Sequence, residues 1–369
     1  MKRSNLIVIP TFNESENISK IIGDIRKEKV AADVLVVDDN SPDGTGRIVL
    51  KLAVEDHGLH LLSRKVKEGL GRAYVAGFKW GMEKGYKKFT SMDADSSHPV
   101  EALSRLFNIC DTSSVAIGSR YIKGGKIVGW NTSSYINSWG ANYITRLLLR
   151  IRAKDATAGF KCYPVEFFKR INLDTVEASG YAFQVEMALK AQQAGFQLIE
   201  TPITFTDRVA GESKIRGELK KSAKMVLKFF IAQQGVRQFV KFAIVGAINT
   251  GVDWAVFFSA KILLLSWLPN FNLQTIRQIA KAISFIVSAT SSYIMNRKWT
   301  FRSANARIMR EAGKFLVVGF GGLVINSSVF YLVTARLHWR DIFGLISATA
   351  GATLWNFFAN RNWTFKQSN

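Results

Sequence analysis

Four apolar runs in the last third of the chain constrain everything before them. They cover approximately residues 242–265, 279–295, 315–337 and 342–359, and each is close to the ~20 residues that carry a helix across a bilayer. The 369 residues therefore divide into a part built for lipid and a part built for water. The runs form an internal repeat: Lys241-Phe242-Ala243-Ile244-Val245-Gly246 matches Lys314-Phe315-Leu316-Val317-Val318-Gly319, and Asn296-Arg297-Lys298-Trp299-Thr300-Phe301 matches Asn360-Arg361-Asn362-Trp363-Thr364-Phe365. Two helical hairpins of the same orientation follow. Arg297, Lys298, Arg302, Arg307, Arg310 and Lys314 fill the loop between them, whereas residues 266–278 hold only Arg277. The positive-inside rule makes this a multi-pass membrane protein with that loop and both termini cytoplasmic. Asp253 lies mid-span, opposite Asn326 in the repeat. Such a residue faces a bundle interior and reads as a polar contact between helices or, alternatively, as part of a lipid-phosphate path.

The net charge of +22 follows the same division. Residues 209–369 hold 21 Lys/Arg against 5 Asp/Glu, gathered between the apolar runs. That pattern suits an anionic lipid bilayer rather than nucleic acid, and no zinc-finger spacing or aromatic RNA-binding signature stands beside it. Cys110 and Cys162 fit neither a disulfide framework nor a metal cluster, so both are expected to be buried. Over residues 211–236, Lys220, Lys221, Lys224 and Lys228 interleave with Leu219, Met225, Val226, Leu227, Phe229, Phe230 and Ile231. This is the pattern of an amphipathic helix at a membrane interface, or of a helix that turns its apolar face to a protein core. The remaining divisions are a soluble domain over 1–210 and the membrane domain over 237–369.

Within 1–210, Leu6-Ile7-Val8-Ile9, stopped by Pro10, and Val34-Leu35-Val36-Val37 read as buried strands. A helix over about 16–27, capped by Asn13 or Ser15, puts Ile18, Ile21, Ile22 and Ile25 on one face. A weaker helix spans about 71–84. Short apolar strands alternating with helices predict an α/β domain whose parallel sheet is covered on both faces. Ligands in such sheets bind beyond the carboxyl ends of the strands. There the chain places residues 10–14, residues 38–43 and Met92-Asp93-Ala94-Asp95. Residues i and i+2 of an extended backbone share a face, so Asp93 and Asp95 project together and invite a cation between them. A hard divalent cation shared with substrate phosphates suits two such carboxylates, although two acids at a solvated strand end would look the same in isolation.

Pro10-Thr11-Phe12-Asn13-Glu14, Val36-Val37-Asp38-Asp39-Asn40-Ser41-Pro42-Asp43-Gly44-Thr45 and Met92-Asp93-Ala94-Asp95 resemble the inverting nucleotide-sugar glycosyltransferases of family 2. The Asn-Ser-Pro-Asp-Gly-Thr version is similar to dolichyl-phosphate mannose synthases in particular. Further matching pieces, among them Gly118-Ser119-Arg120-Tyr121, Gly159-Phe160, residues 180–186 and residues 202–214, extend the resemblance over about 5–215. The apolar repeat resembles the GtrA-like membrane family. Together these imply a glycosyltransferase A-type (Rossmann-like) catalytic domain joined to an all-α transmembrane domain of two helical hairpins.

The resemblance implies an activity, a metal-dependent dolichyl-phosphate β-D-mannosyltransferase. It would take GDP-mannose as donor and dolichyl or another polyprenyl phosphate as acceptor, with Mg²⁺ or Mn²⁺. By the same resemblance Pro10, Phe12, Glu14, Val37 and Asp39 hold base and ribose. Asp93, Ala94 and Asp95 meet ribose, diphosphate and metal, and Arg120, Arg208 and Lys214 meet phosphates. Asp95, Arg120 and Arg208 are the catalytic candidates, and Asp93, Asp95 and Ser97 the metal ligands. Three positions depart from the family pattern. Ser96 and Ser97 stand where an apolar residue and Gln are expected, Ser133 and Ser134 where an acceptor-binding Arg or Lys is expected, and Lys161 where Arg is usual. Transfer of another hexose, or translocation of a lipid-linked sugar by a chain with a degenerate catalytic domain, are the competing readings.

Overall fold

The computed structural model describes residues 3–178, 180–207 and 215–366, with 215–220 described by backbone alone. The chain forms two compact units, Met1–Phe230 and Ile231–Asn369.

The first unit is built on a seven-stranded sheet of order β3-β2-β1-β4-β7-β5-β8, where β1 is Asn5–Thr11, β2 Ala32–Asp38, β3 Leu59–Ser63, β4 Lys88–Ser91, β5 Ser114–Ser119, β7 Lys161–Pro164 and β8 Gln197–Pro202. Two short strands, β6 (Lys126–Val128) and β9 (Thr204–Thr206), pair separately. The expected all-parallel sheet is corrected at one strand: β7 runs antiparallel between β4 and β5. Its register sets Lys161 opposite Ser91. The start of β7 therefore shares a rim with the carboxyl ends of β1, β2 and β4.

The alternation of side chains along the strands builds two cores. Leu6, Val8, Leu35 and Val37 point into one, with Tyr74 and Phe78 of α3 (Leu70–Glu83). Ile7, Ile9, Val34 and Val36 point into the other, with Ile18, Ile21, Ile22 and Ile25 of α1 (Ile18–Lys27). Gly77 lets α3 approach the sheet, since a Cβ there would lie 2.5 Å from Val8. Strand β1 continues through Pro10 to Thr11, because β4 has already ended opposite Val8 and only the β2 ladder remains. Helix α1 starts at Ile18, later than expected. Neither Asn13 nor Ser15 caps it; the Glu14 carbonyl accepts from the N–H groups of Asn17 and Ile18. Cys110 and Cys162 are buried and free.

The other helices of this unit are α2 (Thr45–Glu55), α4 (Leu103–Ile109), α5 (Thr132–Leu149), α6 (Val165–Arg170), α7 (Gly180–Gln193) and α8 (Ile215–Ala232). The second half of α8 lays Met225, Val226, Phe229 and Phe230 on the core of this unit, and Lys228 pairs with Glu177. Leu227 and Ile231 stay exposed. Part of its apolar face thus meets protein.

The second unit holds α9 (Gln234–Trp267), α10 (Leu273–Met295), α11 (Ile308–Tyr331) and α12 (Asp341–Ala359), packed as α9 with α10 and α11 with α12. The sequence repeat is a structural one. Lys241 and Lys314 each donate to a tryptophan carbonyl, Trp299 and Trp363, at 3.3 Å. The matching segments Asn296–Thr300 and Asn360–Thr364 are both π-helical, and the phenylalanines that follow, Phe301 and Phe365, stack at 4.8 Å. Gln234–Trp267, Ile308–Arg336 and Asp341–Thr364 are long and apolar enough to cross a membrane. All four expected spans are helical, and the second of them, α10, is the one that is not apolar enough throughout to be counted with these three. This 23-residue helix is long enough, but Arg277, Lys281 and a run of serines and threonine after Ser284 dilute its apolar character. Asp253 of α9 accepts from Lys281 at 2.6 Å and from Ser284 at 2.8 Å, a polar contact between helices.

Candidate active site

The β1–α1 and β2–α2 loops interlock at the rim. The backbone N–H groups of Asn13, Glu14 and Ser15 donate to Ser41 Oγ, Thr45 Oγ1 and Asp43 Oδ2 at 3.0, 3.0 and 2.9 Å. Asp38 holds the second loop in turn, accepting from Thr11 Oγ1 at 3.0 Å and from Ser41 Oγ at 2.6 Å. Burial pushes the Asp43 carboxyl up, but hydrogen bonds from Thr45 and Ser15 outweigh it and leave the group at about 2. Asn13 and Asn40 sit in the left-handed region, φ 59° and 57°, where asparagine is among the better tolerated residues.

The residues expected around base and ribose sit on these loops and the strands beneath them. Phe12 lies under Lys67, whose Nζ is 3.6 Å from the ring centroid. Glu14 accepts from Asn17 at 2.9 Å, and Pro10 is half-buried. Val37 is fully buried in the core and supports the rim from below. Asp39 is buried and gripped by Arg64 at 2.6 Å; burial raises its pKa against the pull of that guanidinium. Arg64 escaped the sequence reading, although it stands just past the end of β3. A cavity of about 330 Å³ opens beside this region, lined by Asp38, Ser41, Pro42, Arg47 and Ser63 among others.

Strand β4 ends at Ser91, and the chain bends over 94–96, with Ser96 at φ 59°. The same-face argument for Asp93 and Asp95 therefore does not carry over as extended backbone. Local contacts set the two acids instead. Tyr74 donates to Asp93 Oδ1 at 3.1 Å. The Asp93 N–H donates to His98 Nδ1 at 3.1 Å, so the imidazole proton belongs on Nε2, 3.9 Å from Asp93 Oδ2. His98 is buried, stacked on Phe160 at 5.0 Å, and burial lowers its pKa and keeps it neutral. Gly159 leaves room here: a Cβ would lie 3.2 Å from His98 and 3.5 Å from Asp93. Asp95 accepts from the Ser97 N–H at 3.1 Å. Ala94 and Ser97 are buried.

Arg120 follows β5 and is turned inward. Its Nε and Nη2 form a two-pronged pair with Asp155 at 2.8 Å each, and Nη2 also reaches Thr157 at 2.9 Å. Asp155 is fully buried. Burial would raise its pKa, yet the Arg120 charge prevails and lowers it. Tyr121, Trp130 and Phe205 ring the guanidinium at 5.2–5.8 Å. The side chain of Arg120 is only 7% exposed, and among the described residues its hydrogen bonds run from Nε and Nη2. Lys161 is also fully buried. Its Nζ donates to the carbonyls of Ala158 and Gln184, and burial lowers its pKa to about 7. At the start of α5 Ser133 is exposed and Ser134 half-buried, and Asn131 Oδ1 caps the helix at the Ser134 N–H, 2.8 Å away. The described chain reaches Asp207, whose N–H donates to Val128 at 2.8 Å. Arg208 and Lys214 lie outside the described residues.

Among the described residues no group of three or more His, Cys, Asp or Glu side chains converges as a metal cage. Asp93 and Asp95 present oxygen donors only. Such an open, hard donor set fits a Mg²⁺- or Mn²⁺-sized cation whose remaining ligands come from substrate phosphates and water.

Comparison with known proteins gives two family matches. Residues 6–171 match "Glycosyl transferase family 2" and residues 241–367 match "GtrA/DPMS, transmembrane domain". The chain is 45% identical over 212 residues to an undecaprenyl-phosphate mannosyltransferase of Micrococcus luteus, covering 58% of this chain and 87% of that one. It is 42% identical over 234 residues to a polyprenol monophosphomannose synthase of Mycolicibacterium smegmatis, covering 63% and 87%. A dolichol-phosphate mannosyltransferase of Pyrococcus furiosus is 29% identical over 338 residues, covering 89% and 90%.

Proposed function

The chain belongs to glycosyltransferase family 2 and carries a GtrA/DPMS transmembrane domain, and from that premise we propose that it transfers mannose from GDP-mannose to a polyprenyl phosphate such as dolichyl phosphate, with inversion. The observation that carries this reading is the meeting of three loops on one rim. The interlocked pair after β1 and β2 stands beside the two carboxylates after β4, in a chain with helices that cross a membrane. The relatives' names support mannose and a polyprenyl-type acceptor.

Asp93 and Asp95 would hold the divalent cation, which when bound neutralises charge on the departing nucleoside diphosphate. The interlocked loops fix the nucleotide through Phe12, Glu14 and Asp39. Tyr74 and His98 fix Asp93. An oxygen of the lipid phosphate attacks the anomeric carbon as the bond to the diphosphate breaks, and GDP leaves. A phosphate dianion is already a competent nucleophile, so the chain contributes positioning and charge stabilisation rather than a strong base. Arg208 and Arg120 supply positive charge for donor and acceptor phosphates. Both termini and the catalytic domain lie on the cytoplasmic side in this reading, which follows from the basic loop between the hairpins.

The test supplies radiolabelled GDP-mannose, UDP-glucose and UDP-galactose in parallel, each with one polyprenyl phosphate and Mg²⁺. Labelled lipid from GDP-mannose alone is expected. Labelled lipid only from a uridine sugar would move the enzyme to another hexose, and none from any donor would favour a translocator.

A further inference from the structure

The two hairpins of the membrane domain end in matching sockets, and only one of them holds an acid. In the sequence repeat Lys241 falls on Lys314, Trp299 on Trp363, Arg297 on Arg361 and Gln238 on Glu311. The match holds in space. Both lysines donate to a tryptophan carbonyl at 3.3 Å and lie 5.2 Å from that tryptophan's ring, and both arginines stand in π-helical segments. In the first socket Arg297 Nη1 donates to Glu311 Oε1 at 2.9 Å, and Tyr293 and Ser303 donate to the same carboxylate at 2.9 and 2.6 Å. Glu311 lies in the first turn of α11 and is buried. The carboxylate thus sits between a guanidinium and the positive end of a helix, where both favour an anion.

The second socket repeats the cation and the helix end without the acid. Arg361 lays its guanidinium along Gly235 in the first turn of α9, so closely that a Cβ there would lie 2.8 Å from Nη1. One turn on, on the same face, Gln238 stands in place of Glu311, and Phe357 stands in place of Tyr293. The first turn of α9 holds no acidic residue, and its N-cap residue gives no side-chain cap. Among the described residues Arg361 makes neither a hydrogen bond nor an ion pair, and Gln238 Oε1 is buried without a partner. The rest of the domain cannot supply the missing charge. Residues 231–369 contain three Asp or Glu side chains. Asp253 is paired with Lys281 and Glu311 with Arg297, and Asp341 starts α12, at the opposite end of that helix from Arg361.

We propose that this second socket binds a phosphate group, carried by a lipid headgroup or free in solution, with Arg361 and the first-turn N–H groups of α9 as its ligands. A guanidinium matches two phosphate oxygens at once, and a helix N-terminus adds donors and a favourable dipole. Gln238 joins them when its amide turns over, since Nε2 then takes the buried place of Oε1 and donates. The position suits a lipid. Gly235 precedes the apolar run that starts at Phe242 by seven residues, about 10 Å of helix, which places it just outside the hydrocarbon. The socket joins the start of the first hairpin to the end of the second, as Arg297 and Glu311 join the end of the first to the start of the second. A bound phosphate would therefore close the bundle on the side that lacks a connecting loop. None of this depends on the donor or on the transfer reaction.

The test uses the full chain in a neutral detergent, stripped of lipid, with dioctanoyl phosphatidic acid as the probe. Dioctanoylglycerol, which lacks only the phosphate, is the control lipid, and inorganic phosphate forms a separate arm. Binding is read as a rise in Tm with ligand and as lipid retained in native mass spectrometry. The parent is expected to bind phosphatidic acid and to ignore dioctanoylglycerol. Gln238→Glu installs the acid of the first socket; it should fold at least as stably as the parent and bind phosphatidic acid about tenfold more weakly or worse. Arg361→Gln should show the same loss, and Gln238→Glu decides the matter should Arg361→Gln fail to fold. Gln274→Glu makes the same change of charge at the other end of the domain and should leave the affinity unchanged. Equal protection by inorganic phosphate, lost in the same two variants, would support the site and assign it to a soluble phosphate. Affinity for phosphatidic acid unchanged in Gln238→Glu, or lowered equally by Gln274→Glu, overturns the proposal, as does equal protection by dioctanoylglycerol.

Discussion

Around β1 and β2, the Asp39–Arg64 pair apart, the rim is held by hydroxyls and a carboxylate that satisfy backbone N–H groups of the two loops; around β4, β5 and β7 it is held by charges and an imidazole buried in the domain. The first arrangement leaves water close at hand, so each contact can be lost singly at a cost near that of one hydrogen bond. The second offers no such exchange. Arg120 and Asp155 are buried together, and removing either strands the other. The donor side should therefore degrade gradually under mutation, and the side bearing the carboxylates should fail in large steps.

The largest step is expected at Asp155. Asp155→Ala leaves Arg120 buried without its counter-ion, at a cost of roughly 3–5 kcal/mol. A fall in Tm of the detergent-solubilised protein, with transfer lost, is the check; a variant as stable as the parent would show that water or another acid reaches Arg120. Next comes Asp95→Asn, which should keep the fold and lower transfer on the order of 10²-fold or more, because one full charge is withdrawn from the cation. Rates measured across a Mg²⁺ and Mn²⁺ titration test this, and a metal dependence equal to that of the parent would count against the role of Asp95.

Lys161 sharpens the comparison through pH. Burial holds its folded pKa at about 7, against 10.5 for an exposed lysine. Between those values the unfolded chain binds a proton that the folded chain does not, so stability rises with pH across this window, by roughly 1.4 kcal/mol per pH unit at most. Below it both states are protonated and the slope from this residue vanishes. Lys161→Met should lose that rise, which a Tm series from pH 6 to 10 would reveal as a flatter profile than the parent's.

On the donor side, Asp43→Ala frees the N–H groups of Ser15 and Thr45 and should cost about 1–2 kcal/mol. It should appear as a higher KM for the donor, with kcat largely kept; a collapse of kcat instead would mean that the two sides are mechanically coupled. Ser97 is expected to give the smallest effect. If its hydroxyl is a metal ligand, water can replace it in Ser97→Ala, with a loss of about tenfold or less.

What could be read from the sequence followed its local patterns. The alternating strands, the isoleucine face of α1 and the two hairpins are periodic, and the loops around Asp39 and Asp93 are contiguous strings of polar residues. What could not be read were pairings between distant positions. Arg120 finds Asp155 35 residues away, Asp39 finds Arg64, and Asp253 finds Lys281 on the neighbouring helix. None has a spacing that marks it. The antiparallel course of β7 escaped for a similar reason, because four residues reached after a long excursion through α5 look the same in either direction. His98 stood in plain view after Asp95, but its ring nitrogen returns to the Asp93 N–H only because the chain turns at Ser96.

The most direct test of the central claim is the anomeric configuration of the product. GDP-mannose carries an α-linked sugar, and a single displacement by a lipid phosphate on this rim makes the β-linked mannosyl phosphate. NMR of lipid made by the parent, with Asp95→Asn run alongside, is predicted to show β-mannosyl phosphate from the parent and almost none from the variant. An α-linked product, or equal yields from both proteins, would contradict the account.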